Sequence, residues 1–475
     1  MTPERTATPM GQPGRLRLGR LAAAIGLGVG LLAPLSHADG AASCGHRHQS
    51  GPWLTIDSPY TTPTLGVVSD NTRPSLGWDG TMTFTAVDSG DPARMFATDG
   101  TELDRSTDGG CTWRKVFTTG VNGQDGPAGY RISRVVIGGS GPSSHVYLLL
   151  QVTTASLEAG NNRNQIATST DAGASFTVGG DLILPPAPTP VGPSAPASSC
   201  SWEIADDTSI DLVPVPGNAR MLYLLCNANP QPALFVTTDS AHTWTRVTTI
   251  GLPYWTGYVP FTVAQTSSRS LWVAAISGAT TSAPGVWRSS DGGRTFDEVF
   301  AFPSATPGQE SSQATVQTFL PPRAKPTSLQ VLAVNEAAIA LSTNAGRKWS
   351  LIPAPPAHGT QAGPVISAAF GPRAGEITAF TAYGASYYYR GVGPSAQASC
   401  GEATLAWSYS IAKKRWTSLG APAITPAPGG SAVFGVTASG VGNSAALYGF
   451  QPGLSSPCAG GTGTLSPHII AYTGP

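Results

Sequence analysis

One eight-residue phrase occurs five times in this chain and constrains its fold more than any other feature. It reads STDGGCTW at 106–113, STDAGASF at 169–176, TTDSAHTW at 237–244, SSDGGRTF at 289–296 and STNAGRKW at 342–349. Such a phrase describes a tight turn: a carboxylate accepts backbone N–H bonds, a hydroxyl does so more weakly, and glycine supplies positive φ without steric cost. The closing aromatic then opens a strand and packs. The turn residues are Ser106, Asp108, Gly110 and Trp113; Ser169, Asp171, Gly173 and Phe176; Asp239 and Trp244; Ser289, Asp291, Gly293 and Phe296; and Asn344, Gly346 and Trp349. Two copies depart from the form. Ala241 replaces Gly in the third, and Asn344 and Lys348 replace Asp and Thr in the fifth, so these turns are expected to be less regular.

The phrases start 63, 68, 52 and 53 residues apart, room for four short strands each. Before the copy at 169 come ISRVVIGG, HVYLLLQV and NQIATS, and after it SFTVGG; the copy at 289 sits between VPFTVAQT, SLWVAAIS and PGVWRS on one side and TFDEVF on the other. Apolar, β-branched runs broken by turn residues at this period spell a propeller blade. A degenerate turn near KKRW leads into Trp416–Leu419 and makes a sixth blade, after which SAVFGVTAS, AALYGF and HIIAYTG supply only three more strands. Trp53-Leu54-Thr55-Ile56 has the form of the missing outer strand. The expected fold is therefore all-β, a single seven-bladed β-propeller of four-stranded antiparallel blades closed by an N-terminal strand in the last blade, which also removes a free sheet edge. Approximate blades are 80–119, 130–180, 203–249, 258–301, 314–353, 364–420 and 430–475, the last completed by 52–57. Six blades plus a hairpin is the alternative.

The phrase resembles the Asp box, or BNR repeat, of sialidases, sortilin-type receptors, xyloglucanases and photosystem assembly factors. The resemblance implies that the turn joins the third and fourth strands of a blade on the side away from the active site, so Asp108, Asp171, Asp239 and Asp291 are structural. Sialidases also carry an R-I-P motif near their start. The nearest phrase here, Tyr130-Arg131-Ile132-Ser133, lacks the Pro and follows the first copy. Xyloglucanases place their cleft between two propellers, whereas one ring of seven blades uses up this chain.

The first residues bear on the compartment. Arg5, Arg15, Arg17 and Arg20 precede an apolar run from Leu21 to Leu35 that ends at Ser36-His37-Ala38. This order describes a secretory signal peptide over 1–38, leaving 39–475 as a secreted, extracellular or periplasmic propeller. The run is short of the roughly 20 apolar residues a bilayer span needs, and no membrane insertion is expected. Cys44, Cys111, Cys200, Cys226, Cys400 and Cys458 all follow it, and an even count in an oxidising compartment favours disulfides. Chain order and the blade scheme suggest Cys44–Cys111, Cys200–Cys226 and Cys400–Cys458, with other connectivities open. The absence of CxxC spacing argues against a metal or redox site, and no metal or cofactor is expected.

Charge is sparse and balanced, 27 Lys and Arg against 27 Asp and Glu, with only 11% of residues charged, which leaves no overall footprint for nucleic acid. Ligand candidates lie on the connections opposite the repeat turns: Tyr130, then Asn162 and Arg163, then Tyr254, Trp255 and Tyr258, then Tyr388 and Arg390. Aromatic rings beside amides and charges suit a glycan, a peptide or a protein partner, since rings cover apolar faces while polar tips fix orientation. No catalytic residue is assigned. Asp88, Asp125, Asp206, Asp207, Asp211 and Glu376 show no spacing that selects a pair, and no GxSxG elbow is present. The expected function is that of a monomeric, non-catalytic binding propeller. The alternative is a glycoside hydrolase of sialidase-like or related Asp-box type.

Overall fold

The structure, a computed structural model, describes Cys44 and residues 47–57, 59, 85–88, 90–98, 100–119, 130–152, 164–182, 185, 210–226, 233–252, 261–275, 285–303, 314–335, 338–356, 365–371, 373–382, 404–420, 434–439, 446–451 and 468–472. They form seven antiparallel meanders arranged in a ring, a seven-bladed β-propeller. Blade 1 comprises Thr85–Asp88, Asp91–Thr98, Glu102–Ser106 and Arg114–Thr118, and blade 2 Tyr130–Gly138, His145–Val152, Gln165–Ser169 and Thr177–Asp181. Blade 3 comprises Ile210–Val215, Asn218–Cys226, Ala233–Thr237 and Thr245–Val247, and blade 4 Phe261–Val263, Leu271–Ala275, Gly285–Ser289 and Asp297–Ala301. Blade 5 comprises Ala314–Phe319, Gln330–Asn335, Ile339–Ser342 and Ser350–Ile352, and blade 6 Val365–Phe370, Glu376–Ala382, Thr404–Ser410 and Arg415–Gly420. The only helical segments among the described residues are two 3-10 turns, Gly141–Ser143 and Pro326–Ser328.

Blade 7 is built from both ends of the chain. Phe434–Ser439, Ala446–Gln451 and His468–Tyr472 are followed in the sheet by Trp53–Asp57, with Trp53 opposite Tyr472 and Ile56 opposite Ile469. This excludes the six-bladed alternative. A further strand, Arg47–Ser50, pairs outside Trp53–Asp57 through a turn at Gly51-Pro52, Gly51 having φ 57°. Its polar sequence, RHQS, carries no apolar alternation, so nothing in the sequence announced it. Just ahead of it, a disulfide joins Cys44 to Cys111 in the first repeat turn, with Cα atoms 5.3 Å apart, and staples blade 7 to blade 1. Cys226 is also disulfide-bonded. Cys200, Cys400 and Cys458 lie outside the described residues.

First strands touch one another from blade to blade and so line the axis, while the hydrophobic clusters lie between blades. Tyr147 and Leu149 of blade 2, for example, pack with Leu222, Leu224, Phe235 and Trp244 of blade 3. A sheet covered on both faces needs apolar side chains in both directions, which is why Val146–Leu150 and Leu222–Cys226 are buried without a break. Each large aliphatic or aromatic side chain so buried contributes roughly 1.5–3 kcal/mol. Outer strands are covered on less of their surface and turn polar, as Arg114–Thr118 and Asp297–Ala301 do.

Candidate functional site

The five repeat turns connect the third and fourth strands of blades 1 to 5 and share one hydrogen-bond pattern. In the first, the Ser106 hydroxyl donates to Asp108 Oδ1 (2.8 Å) and accepts from Gly110 N–H (2.8 Å). Asp108 also accepts from the Thr112 backbone N–H (2.9 Å) and from the Thr112 hydroxyl (2.6 Å). The same bonds recur around Asp171, Asp239 and Asp291. The two departing copies, expected to be less regular, keep the course of the others. Ser240-Ala241 and Ala345-Gly346 have the same paired positive φ values as Gly109-Gly110, and Asn344 keeps its bonds to Ser342 and to Lys348 N–H. What the fifth copy loses is the hydroxyl bond that Lys348 cannot make.

Each of these turns is also a joint between blades. A Cβ on Gly173 would collide with the ring of Phe96 in blade 1, and one on Gly346 with the ring of Trp272 in blade 4. Within each of blades 1 to 6 a backbone N–H of the turn donates to a carbonyl of the first hairpin of the same blade: Gly109 to Ala93, Ala172 to Ser144, Ser240 to Arg220, Gly292 to Arg269, Ala345 to Leu329 and Ile411 to Gly375. The third-to-fourth and first-to-second connections therefore form one face. The opposite face belongs to the second-to-third connections and the links between blades.

Of the candidate ligand residues, the structure describes Tyr130, half-buried at the start of the first strand of blade 2. Asn162, Arg163, Tyr254, Trp255, Tyr258, Tyr388 and Arg390 lie outside the described residues, as do Asp125, Asp206 and Asp207.

The described carboxylates of the candidate set are each engaged with partners of their own. Asp88, fully buried at the repeat-turn end of blade 1, accepts from Arg94 Nη1 (2.7 Å), from Gly90 N–H (2.9 Å) and from Gly141 N–H of blade 2 (3.1 Å). Asp211 begins the first strand of blade 3 at the other end. It faces Arg134 Nε of blade 2 (3.8 Å) and accepts from Phe261 N–H of blade 4 (3.4 Å), so one carboxylate ties three blades around the axis. Glu376 sits on the first hairpin of blade 6 beside Arg373 (3.7 Å). Arg94 also holds a second carboxylate, that of Asp91, at 3.0 Å from its Nη2, so Asp88 and Asp91 meet at one guanidinium. The buried partners Arg94 and Arg134 were not singled out from the sequence, although a lone Arg inside an apolar run, as in ARMF and SRVV, signals a buried ion pair.

A second polar cluster joins blades 2 and 3. His145 Nδ1 lies 3.2 Å from both the Tyr147 and Ser240 hydroxyl oxygens, and Tyr147 donates to the Ala219 carbonyl (2.7 Å). Burial, reinforced by the Arg220 charge, lowers the His145 pKa, and burial raises that of Tyr147, so both are held neutral. The cluster is a buried joint, with Ser240 only 5% exposed.

No family model and no curated protein matches this chain. Solved structures that it resembles include YCF48 from Cyanidioschyzon merolae, with 12% identity over 82% of this chain and 94% of that one and a TM-score of 0.45. A YCF48 bound to D1 peptide shows 13% identity over 90% and 97% of the two chains with a TM-score of 0.47. A GH74 enzyme from Niastella koreensis shows 17% identity over 77% of this chain and 54% of that one, with a TM-score of 0.37.

Proposed function

We propose that this chain is an exported Asp-box β-propeller that recognises a glycan, a peptide or a partner protein through the face opposite its repeat turns and performs no chemistry of its own. Residues 1–38 act as the signal peptide and 39–475 form the mature, monomeric domain. The observation that carries the reading is the unequal use of chain at the two faces. The repeat-turn face uses hairpins as short as Pro216-Gly217 and turns fixed by internal hydrogen bonds, whereas Asp181 to Ile210, Ala382 to Thr404 and Gln451 to His468 all connect strands on the other face. Binding residues belong on such connections, held by a rigid frame. Tyr254, Trp255 and Tyr258 are the proposed apolar contacts, with Tyr130, Asn162, Arg163, Tyr388 and Arg390 supplying the polar ones. The engagement of Asp88, Asp211 and Glu376 in internal bonds supports recognition over hydrolysis.

The test is a glycan and peptide array probed with the purified protein and read again after prolonged incubation. Binding without shortening of the ligand, lost in a Tyr254→Ala, Trp255→Ala double variant, is the expected result. Shortening of a bound glycan would replace this reading with a glycoside hydrolase.

A further inference from the structure

The chain as a whole is neutral, yet its charges are sorted around the repeat-turn face. In blade 4 the two turns of that face carry Arg269 and Arg294, and in blade 5 they carry Arg323, Lys325, Arg347 and Lys348. In blade 6 they carry Arg373, Lys413, Lys414 and Arg415. All ten side chains are exposed, and the carboxylates in the same six turns and at their strand ends are Asp291, Asp297 and Glu376. The corresponding turns and adjoining strand ends of blades 1 to 3 hold Arg94, Arg114 and Arg220 against Asp88, Asp91, Asp108, Asp171 and Asp239. Among the ten cations the structure shows one ion pair, Arg373 with Glu376. Arg269 and Arg294 both point a guanidinium N–H at the Asp291 carbonyl (3.4 and 3.2 Å).

We propose that this sector of blades 4 to 6 is a docking surface for a bilayer that contains anionic phospholipid. Two observations point to that partner. The cations sit on connections tied in pairs within each blade by backbone bonds, Gly292 to Arg269, Ala345 to Leu329 and Ile411 to Gly375, which fixes the backbone that carries them. Among the described residues, two of the three exposed large apolar side chains adjoin it. Ile250, 67% exposed, is hydrogen-bonded through its backbone to Arg294, and Leu351, 52% exposed, follows Lys348 by three residues. Cations with a few apolar side chains at their margin suit the headgroup zone, whereas a protein interface calls for a broader apolar and aromatic core. A second copy of the chain is the competing partner, because Asp108, Asp171 and Asp239 on blades 1 to 3 of the same face keep their charge while accepting only neutral donors, and the test below separates the two.

The surface is separate from the proposed ligand face. A molecule seated on it would leave that ligand face directed away from the lipid.

The test is sedimentation of the purified protein with vesicles of phosphatidylcholine alone and of equal parts phosphatidylcholine and phosphatidylglycerol, at low and high salt. Binding to the anionic vesicles only, weakened by salt, is expected. Each cation near such a surface changes the partition coefficient roughly fivefold. Arg347→Glu with Lys348→Glu, and separately Lys413→Glu with Lys414→Glu, should each weaken binding by at least about tenfold, while Arg114→Glu on the outer strand of blade 1 should leave it unchanged. Far-ultraviolet circular dichroism of every variant separates a lost surface from a lost fold. Equal binding to both vesicle types would overturn the proposal. So would binding to polygalacturonate but not to vesicles, salt-sensitive self-association without vesicle binding, or no binding at all.

Discussion

At the residue scale the repeat turn depends on its carboxylate. Asp171 accepts from the hydroxyls of Ser169 (2.7 Å) and Ser175 (2.6 Å) and from the N–H groups of Ala174 and Ser175 (3.0 Å each). Burial by itself would raise its pKa, but these bonds outweigh burial and hold it down at about 2, with Asp291 likewise at about 2 and Asp108 and Asp239 also lowered. A carboxylate whose native pKa lies below its unfolded value of about 3.9 adds stability above that value and loses it as the pH falls through the native one. Thermal melts should therefore show stability declining from about pH 4 to pH 2, and Asp171→Asn should flatten that decline. A wild-type profile level over this window would contradict the argument. Asn344 shows why Asn is the milder change: it keeps the Oδ1 bonds and gives up the hydroxyl bond alone. The third turn offers the opposite experiment. Ser240 and Ala241 hold φ values of 64° and 68° that cost an L-residue energy, so Ala241→Gly should raise stability by about 0.5–1 kcal/mol in urea unfolding.

At the scale of the element, the aromatic that opens an outer strand leans on the outer strand of the preceding blade. Phe176 meets Phe117 (5.6 Å between ring centres), Trp349 stacks on Phe300 (4.9 Å), and Trp416 donates its indole N–H to the Pro353 carbonyl just past the outer strand of blade 5 (2.7 Å). Trp53 obeys the same rule from the other end of the chain, donating to the Leu419 carbonyl of blade 6 (3.2 Å) while packing on Phe380 and Tyr472. The N-terminal strand thus carries the aromatic of the seventh blade without a turn before it. Since Trp53 is only 3% exposed, Trp53→Ala should cost about 3–5 kcal/mol in chemical unfolding. The neighbouring disulfide closes the same seam covalently. Cys111→Ser should cost about 2–4 kcal/mol, read the same way, and a variant as stable as the wild type would mean that strand pairing suffices to hold the ring closed.

At the scale of the molecule, closure of the ring gives the protein two faces of unlike construction. One consists of turns tied in pairs by backbone bonds within blades 1 to 6, and its charge is sorted into an acidic half over blades 1 to 3 and a basic half over blades 4 to 6. The other receives the long connections. A balance of 27 cationic and 27 anionic residues conceals this arrangement, because a sum over the chain cannot show on which face each side chain falls. The two proposed binding activities accordingly respond to different perturbations: salt should release the molecule from anionic vesicles, while substitution at Tyr254 and Trp255 should abolish ligand capture.

The sequence by itself determined the features whose physics is local. A turn such as Ser106–Trp113 satisfies its hydrogen bonds within eight residues, and strand alternation needs no distant partner, so the turns, the blade count and the need for Trp53–Ile56 as a closing strand were legible. Only the tertiary structure decided what depends on distant residues meeting. It pairs Asp88 with Arg94 and with a backbone N–H of the next blade, ties Asp211 to three blades at once, adds the polar strand Arg47–Ser50, and gathers ten cations from six separate turns onto one sector. The ligand candidates belong to this second group. Whether residues as far apart as Tyr130 and Tyr388 converge depends on how a closed ring places its connections, and no local pattern of side chains encodes that.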